Sequence, residues 1–445
     1  MHGDPESPSR GDGPRARHAP EDGSGHGRPA RPRGGRRSGG RAHHRDARAR
    51  RTSGSLERQA PHVGLRADDL GAVTRSIVAP KGHNTTFVEL FFDLVFVFCI
   101  TQVVGVLHHD LSWNGVGHAI LIFWLVWWAW TQFTWALNPA DATHPFVELG
   151  TLAATAVAFF MAVSIPAAFS GRALGFAVTY VLVRALGLWI YSQVARSNDA
   201  GQHAAVRLFS VVSTGGLVAV LAGGLVGGTT QVWLWAVAIL LDVVAALVAG
   251  SADQWGIHAE HFTERHGLIV IIALGETLIV AGAGVAEADF VGVAFLGVLV
   301  SWALWWSYFP VVKPTLEHAL RSAPSEARGA MARDAFSLAH FPMLCGVIAY
   351  AVALEDAIAH PSDPLLPAAR LALALGMLLF LSGSAFAMWR ATCGYPLSRI
   401  TIAAFTAGAV AALPTVPAAG ALAMAFTSVV AVALLDERRA RRLHI

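Results

Sequence analysis

The sequence predicts an all-α, polytopic transmembrane bundle of about twelve helices, and three observations carry that prediction. Of 445 residues, 54% are hydrophobic and 14% charged, against about 25% charged in a soluble domain; the mean hydropathy is +0.50. From Phe87 onward apolar stretches of about 20 residues recur, each long enough to cross a hydrocarbon core of about 30 Å as a helix. Lys and Arg then concentrate on alternate loops, as expected of cytoplasmic connections. Soluble Rossmann-type enzymes, coiled coils and secreted disulfide scaffolds are excluded. The odd set Cys99, Cys345 and Cys393 fits no disulfide framework.

Residues 1–82 read as a basic tail, with 17 Lys and Arg against 9 Asp and Glu. The first 60 or so are Gly, Pro, Arg and His with almost no large aliphatic side chains, too little apolar surface to offset chain entropy. The tail is expected to be disordered, and it contains no apolar run resembling a secretory signal. Arg33-Gly34-Gly35-Arg36-Arg37 would suit RNA, but a solvated cytoplasmic tail drawn to anionic lipid headgroups is the simpler expectation. No nucleic-acid partner is expected, and no cofactor.

Within a transmembrane domain of 83–435, spans are predicted at 86–107, 117–136, 146–168, 173–195, 206–224, 229–250, 267–285, 290–310, 336–356, 367–389, 398–413 and 416–435. Pro414 and Pro417 interrupt the last apolar tract, so it reads either as two spans or as a re-entrant hairpin. Residues 436–445 form a short basic C-terminus. Arg196, Arg207, Arg265, Lys313, Arg321, Arg328, Arg333, Arg390 and Arg399 fall on the loops after even-numbered spans or within two residues of them, whereas the opposite loops offer only Arg172 and Arg370. A multi-pass cell-membrane protein with both termini cytoplasmic is the expectation.

Trp124, Trp127 and Trp128 in the second span are echoed 178 positions later by Trp302, Trp305 and Trp306 in the eighth. Either this reflects a parallel 6+6 repeat of the kind transporters use, or it is coincidence in a Trp-rich chain.

Ionisable residues inside spans are the informative ones, since each costs about 2.5–3.5 kcal/mol at a helix centre. Glu89 and Asp93 are four apart on the first span, Glu148 opens the third, and Arg184, Asp242 and Glu276 sit mid-span. His340 lies in the ninth span. Exposed to lipid, Asp93, Arg184, Asp242 and Glu276 would cost on the order of 10 kcal/mol, so they are expected to face one another around a shared hydrated pocket. Arg184 reads as the one buried cation. Glu264 and Arg265, ahead of the seventh span, read as a helix N-terminal acid and an interfacial anchor. Gly275, Gly282 and Gly284 would permit close helix approach or local unwinding. His108-His109-Asp110 and the His258/His261/Glu264 set match no metal-site spacing well enough to predict a metal. There is no Walker A loop, G-x-S-x-G or CxxC.

The run Phe87-Val88-Glu89-Leu90-Phe91-Phe92-Asp93-Leu94-Val95-Phe96 resembles the bacterial low temperature requirement A family. So do Glu264-Arg265-His266-Gly267-Leu268 with Leu274-Gly275-Glu276-Thr277, and Leu304-Trp305-Trp306-Ser307-Tyr308-Phe309. The resemblance covers about 85–435; His266 replaces the family's usual Phe and would add a titratable group at the membrane edge. It implies a multi-pass bacterial membrane protein and supplies no mechanism. Glu89, Asp93, Glu264, Arg265, Gly275 and Glu276 match family motif positions; Arg184, Asp242 and His340 rest on burial alone.

The favoured expectation is a secondary transporter or channel for a cation or a proton-coupled small solute. In it, Glu89 and Asp93 line a cytoplasmic vestibule, Glu276 carries the exchangeable proton and Arg184 supplies counter-charge. The alternatives are an intramembrane enzyme acting on lipid or lipid-linked groups, with His340 and Glu148 as its candidates, and a non-catalytic membrane protein of cold adaptation.

Overall fold

The computed structural model describes residues 76–80, 84–198, 200–249, 256–287 and 291–443. These form fourteen α-helices: α1 (Phe87–His109), α2 (Trp113–Leu137), α3 (Pro145–Ser164), α4 (Ala173–Asn198), α5 (Ala200–Val226), α6 (Gly228–Ala249), α7 (Ala259–Glu287), α8 (Val291–Tyr308), α9 (Val312–Ser322), α10 (Ser325–Met331), α11 (His340–Ala359), α12 (Pro367–Thr392), α13 (Leu397–Ala412) and α14 (Ala418–Leu443). Eleven stretches are long and apolar enough to cross a membrane, and α13 is a shorter apolar helix. Among the described residues, eleven of the twelve predicted spans thus fall on helices of that kind, and the predicted 398–413 falls on the shorter α13.

Local chemistry sets the helix starts. Thr86 and Glu89 form a capping box on α1: the Thr86 N–H and hydroxyl both donate to Glu89 Oε2 at 2.9 Å. Ser112 accepts from Gly115 N–H to open α2, and Pro145 and Pro367 begin α3 and α12, where a missing N–H costs nothing. The α5–α6 turn needs two left-handed residues, Gly227 (φ 71°) and Gly228 (φ 60°), which only glycine adopts freely.

Several helices start earlier than hydropathy predicts. α7 begins at Ala259, eight residues before the predicted 267, so Glu264 and Arg265 lie inside the helix rather than ahead of it. The predicted loop between the eighth and ninth spans folds as α9, α10 and a π-helical stretch, Ala332–Leu338, leading into α11. On α9, Val312, Leu316 and Leu320 are buried, while Lys313, Glu317 and Arg321 form ion pairs on the neighbouring face. The π-helical stretch aims Ser337 at α2, where its carbonyl and hydroxyl accept the indole N–H groups of Trp127 and Trp135 at 2.8 and 2.9 Å.

We call proximal the end of the bundle where α1 begins, and distal the end where it finishes. α13 runs from one to the other: near its start Arg399 pairs with Asp436 close to the end of α14, and the link after it, at Pro417, bridges to Pro364 between α11 and α12. It is a crossing helix, and the hairpin alternative falls. α14 continues through Leu443, so most of the predicted 436–445 tail is helix, with Asp436 buried. The tail read into 1–82 lies outside the described residues except at 76–80, where Val78 forms an antiparallel bridge with Ala140 in the α2–α3 turn.

The two halves share a pattern of neighbours. The pairs α1–α3, α3–α4, α4–α5, α5–α6 and α2–α6 correspond, six spans on, to α7–α11, α11–α12, α12–α13, α13–α14 and α8–α14. The tryptophan trios nevertheless occupy different surroundings. Trp127 and Trp128 are buried, whereas Trp302 and Trp305 are 50% and 41% exposed. The reason is position: the apolar window of α2 is 78% buried, making it a central helix, and α8 is at 50%.

Glycine permits close approach at many places, most directly between α11 and α12. A Cβ on Gly346 would sit 2.6 Å from the Gly376 carbonyl oxygen, and one on Gly376 would sit 2.8 Å from that of Gly346, so α11 and α12 touch backbone to backbone. Gly284 meets Ile358 of α11, but Gly275 and Gly282 have nothing within 4 Å, and α7 is continuous rather than unwound. We expect Gly376→Ala to lower the melting temperature of the detergent-solubilised protein by an amount equivalent to about 1–3 kcal/mol, and Gly275→Ala to leave it nearly unchanged.

Candidate functional site

An i, i+4 pair on α1, Glu89 and Asp93, faces an i, i+4 pair on α7, His261 and Arg265. Each pair occupies one helical face. Arg265 Nη1 donates to Glu89 Oε1 at 2.8 Å and Nη2 to Asp93 Oδ1 at 2.6 Å, so one guanidinium ties two carboxylates. His261 Nε2 lies 3.0 Å from Glu89 Oε1. Its Nδ1 receives the Asn138 amide N–H at 3.2 Å, because the same Asn138 takes the His258 N–H on Oδ1 and gives its other N–H to the His258 carbonyl. Trp130 of α2 donates its indole N–H to Asp93 Oδ1 at 2.8 Å, and its ring lies 5.8 Å from the Arg265 guanidinium carbon, a cation–π distance. Glu264 accepts from the Thr85 N–H at 3.2 Å, just before α1.

Glu89, Asp93 and Arg265 are all essentially inaccessible. Arg265 is therefore a buried cation, not an interfacial anchor, and Glu89 and Asp93 line no vestibule. Counting charges, two carboxylates meet one guanidinium, with the His261 ring beside Glu89.

Farther along the same interface, Glu276 of α7 accepts a hydrogen bond from the Thr101 hydroxyl of α1 at 2.5 Å. Thr101 also lines an 820 Å³ cavity at the distal end, walled by Gln102, His109 and Asp110 of α1 and its following turn, His118 of α2, and Ser170 after α3. Hydrogen bonds from Ser112 hold the Asp110 carboxyl below the usual carboxylate range, keeping a negative charge at the rim. Glu355 of α11 lies close enough to Glu276 to interact electrostatically and is 3.5 Å from His108 Nε2 at the distal surface.

Arg184 stands apart from both groups. It pairs bidentately with Asp242 of α6 at 3.0 and 3.2 Å, donates to the Tyr180 hydroxyl at 2.6 Å and to the Gln132 side-chain oxygen, while the Gln132 amide bonds the Arg184 carbonyl at 2.9 Å. This pair fastens α2, α4 and α6. A third buried arginine, Arg399 of α13, bonds Asp436 of α14, Ser384 of α12 and the Ser307 carbonyl of α8.

The single shared pocket expected of Asp93, Arg184, Asp242 and Glu276 does not form. Asp93 joins Glu89 and Arg265, Arg184 joins Asp242, and Glu276 joins Thr101. His340 and Glu148 do not meet either. His340 is buried against Tyr308, His266 and Phe336, with its Nε2 2.7 Å from the Tyr308 hydroxyl. Glu148 is exposed on the first turn of α3, which packs on α1 and α4. His266 lies not at a membrane edge but buried in an aromatic box of Phe262, Trp127, Trp130 and Phe336, a setting that also suits the phenylalanine usual in the family.

Sequence reasoning missed His261, Trp130, Thr101 and the Arg399–Asp436 pair. The signal for His261 was present: starting α7 eight residues earlier places it on the Arg265 face. For a buried ion pair, losing one partner costs more than replacing both. We expect Asp242→Leu to destabilise by about 3–5 kcal/mol, and Arg184→Met combined with Asp242→Leu to recover most of that, as read by thermal unfolding in detergent. Arg265→Met, which strands two carboxylates, should be at least as damaging.

No solved structure matches the chain. A protein from Rhizobium meliloti (strain 1021), described as uncharacterized protein RA0937, is 29% identical over 321 residues, covering 69% of this chain and 76% of that one. Residues 84–434 match the family described as bacterial low temperature requirement A protein, and its motifs are those that meet in space here: the α1 acids with Arg265 of α7, and Glu276 one seam farther on. This multi-pass membrane protein belongs to the bacterial low temperature requirement A family.

Proposed function

We propose that the protein is a secondary transporter or channel that passes a cation, or couples a small solute to protons, with Glu276 as the exchangeable carboxylate. The observation that carries the reading is the company Glu276 keeps. Glu89, Asp93 and Asp242 each contact an arginine; the hydrogen-bond partner of Glu276 is a hydroxyl, Thr101, which forms part of the wall of the distal cavity. A carboxylate without a fixed counter-cation is the one that must take up a proton or a metal cation to stay in a low-dielectric setting.

Location supports the same reading. α1 and α7 open the two halves of the repeat-like arrangement, and Glu89, Asp93, Arg265, Thr101 and Glu276 all lie where these helices meet. Transporters built from repeats place substrate and coupling-ion sites at that junction. The negative rim at Asp110 would draw cations toward the cavity. The Glu89–Asp93–Arg265–His261 group, with two carboxylates on one arginine, lies nearer the proximal end of the same seam. With both termini cytoplasmic, the cavity would open outward. Arg184 and Asp242, satisfied by one another, hold helices together and take no part in the path.

In proteoliposomes containing a pH-reporting dye and imposed cation gradients, wild-type protein should dissipate the gradient. Glu276→Gln should lower that flux by more than about tenfold, equivalent to about 1.4 kcal/mol or more, with Thr101→Val intermediate and the Arg184→Met/Asp242→Leu double variant retaining it. Unchanged flux in Glu276→Gln would remove this residue from the path, and the absence of cation or proton flux in wild type would end the transport reading.

A further inference from the structure

A second concave site lies on the other side of the α1–α2 pair. It is a groove of 370 Å³ between α1 and α2 on one wall and α11 and α12 on the other, starting near Leu111 and Trp113 at the distal end. Its lining is apolar throughout, with Leu107, Phe123, Ile348 and Leu375 typical of the walls and Cys345 as the softest polar atom. Ile120, Leu371 and Leu375 along it are 48%, 37% and 37% exposed, so the groove is open along its flank to whatever surrounds the protein.

We propose that this groove is a binding site for one acyl chain of a membrane lipid. Its length is the first argument. Along α12 the lining runs from Pro367 to Leu379, twelve residue steps or about 18 Å at 1.5 Å per residue. One leaflet of a hydrocarbon core about 30 Å thick is about 15 Å deep, so the groove extends from the distal boundary, marked by the 78% exposed Trp113, to roughly the bilayer midplane. The character of its lining is the second argument: it is apolar throughout, so an extended hydrocarbon chain of that length needs no polar partner in it. The headgroup is left at the distal surface, and the chain then acts as a filler between α1–α2 and α11–α12, which otherwise leave an apolar gap there.

The test uses full-length protein in vesicles of phosphatidylethanolamine and phosphatidylglycerol doped with a phospholipid carrying a mid-chain diazirine. After irradiation, adducts are mapped by peptide mass spectrometry. They should concentrate on the α11 and α12 peptides containing Ile348, Leu371 and Leu375, well above the lipid-facing Leu240 and Val244 of α6, which are 61% and 37% exposed. Ala372→Phe narrows the groove from α12 and Ile120→Trp from α2. Both variants block the groove sterically, so either should lower groove adducts toward the α6 level, while Leu240→Phe should not. Adducts at the groove no more abundant than on α6, adducts insensitive to both narrowing variants, or cross-links at the groove that join two protein chains would each overturn the proposal. The readout is lipid contact, not flux, so it stands or falls separately from the transport reading.

Discussion

Hydrocarbon offers a charge no solvent, and that constraint organises this bundle. Three arginines are fully buried among the described residues, and each is closed by carboxylates from other helices: Arg184 by Asp242, Arg265 by Glu89 and Asp93, Arg399 by Asp436. Because both members of each pair are costly alone, the helices carrying them are held in one register. The first lock joins α2, α4 and α6, the last joins α8, α12, α13 and α14, and the middle one joins the halves through α1 and α7.

The middle lock differs in kind. Arg184–Asp242 is one cation with one anion and Arg399–Asp436 likewise, but Arg265 answers two carboxylates, with His261 and Trp130 completing the set. Eleven residues beyond Arg265 on α7, about 16 Å, Glu276 has only a hydroxyl for a hydrogen-bond partner and a cavity nearby. The polar chemistry that is not fully compensated therefore lies along one seam, where motifs far apart in the chain come together.

Much of the fold was legible in the chain. Apolar runs of bilayer length located twelve helices because backbone polar groups in lipid leave helix as the available form. What hydropathy could not locate was the start of α7 and the character of 311–335, since charged residues there look like loop to a hydropathy scale. In the structure those charges are either neutralised inside the bundle, as Arg265 is, or turned to one face of a short helix, as on α9.

By itself the sequence determined the membrane class, the long apolar helices and the identity of the costly residues, since burial cost depends on residue type and local hydropathy. It also placed Glu89 and Asp93 on one face, since a four-residue step along a helix nearly closes a turn. Only the tertiary structure decided which charge meets which. Arg265 finds acids 172 and 176 positions away, and no local pattern encodes a contact between helices that far apart. It likewise separated Arg184 and Asp242 from Glu276 and left two groups of tryptophans with the same spacing in different surroundings, because burial is a property of where a helix stands in the bundle.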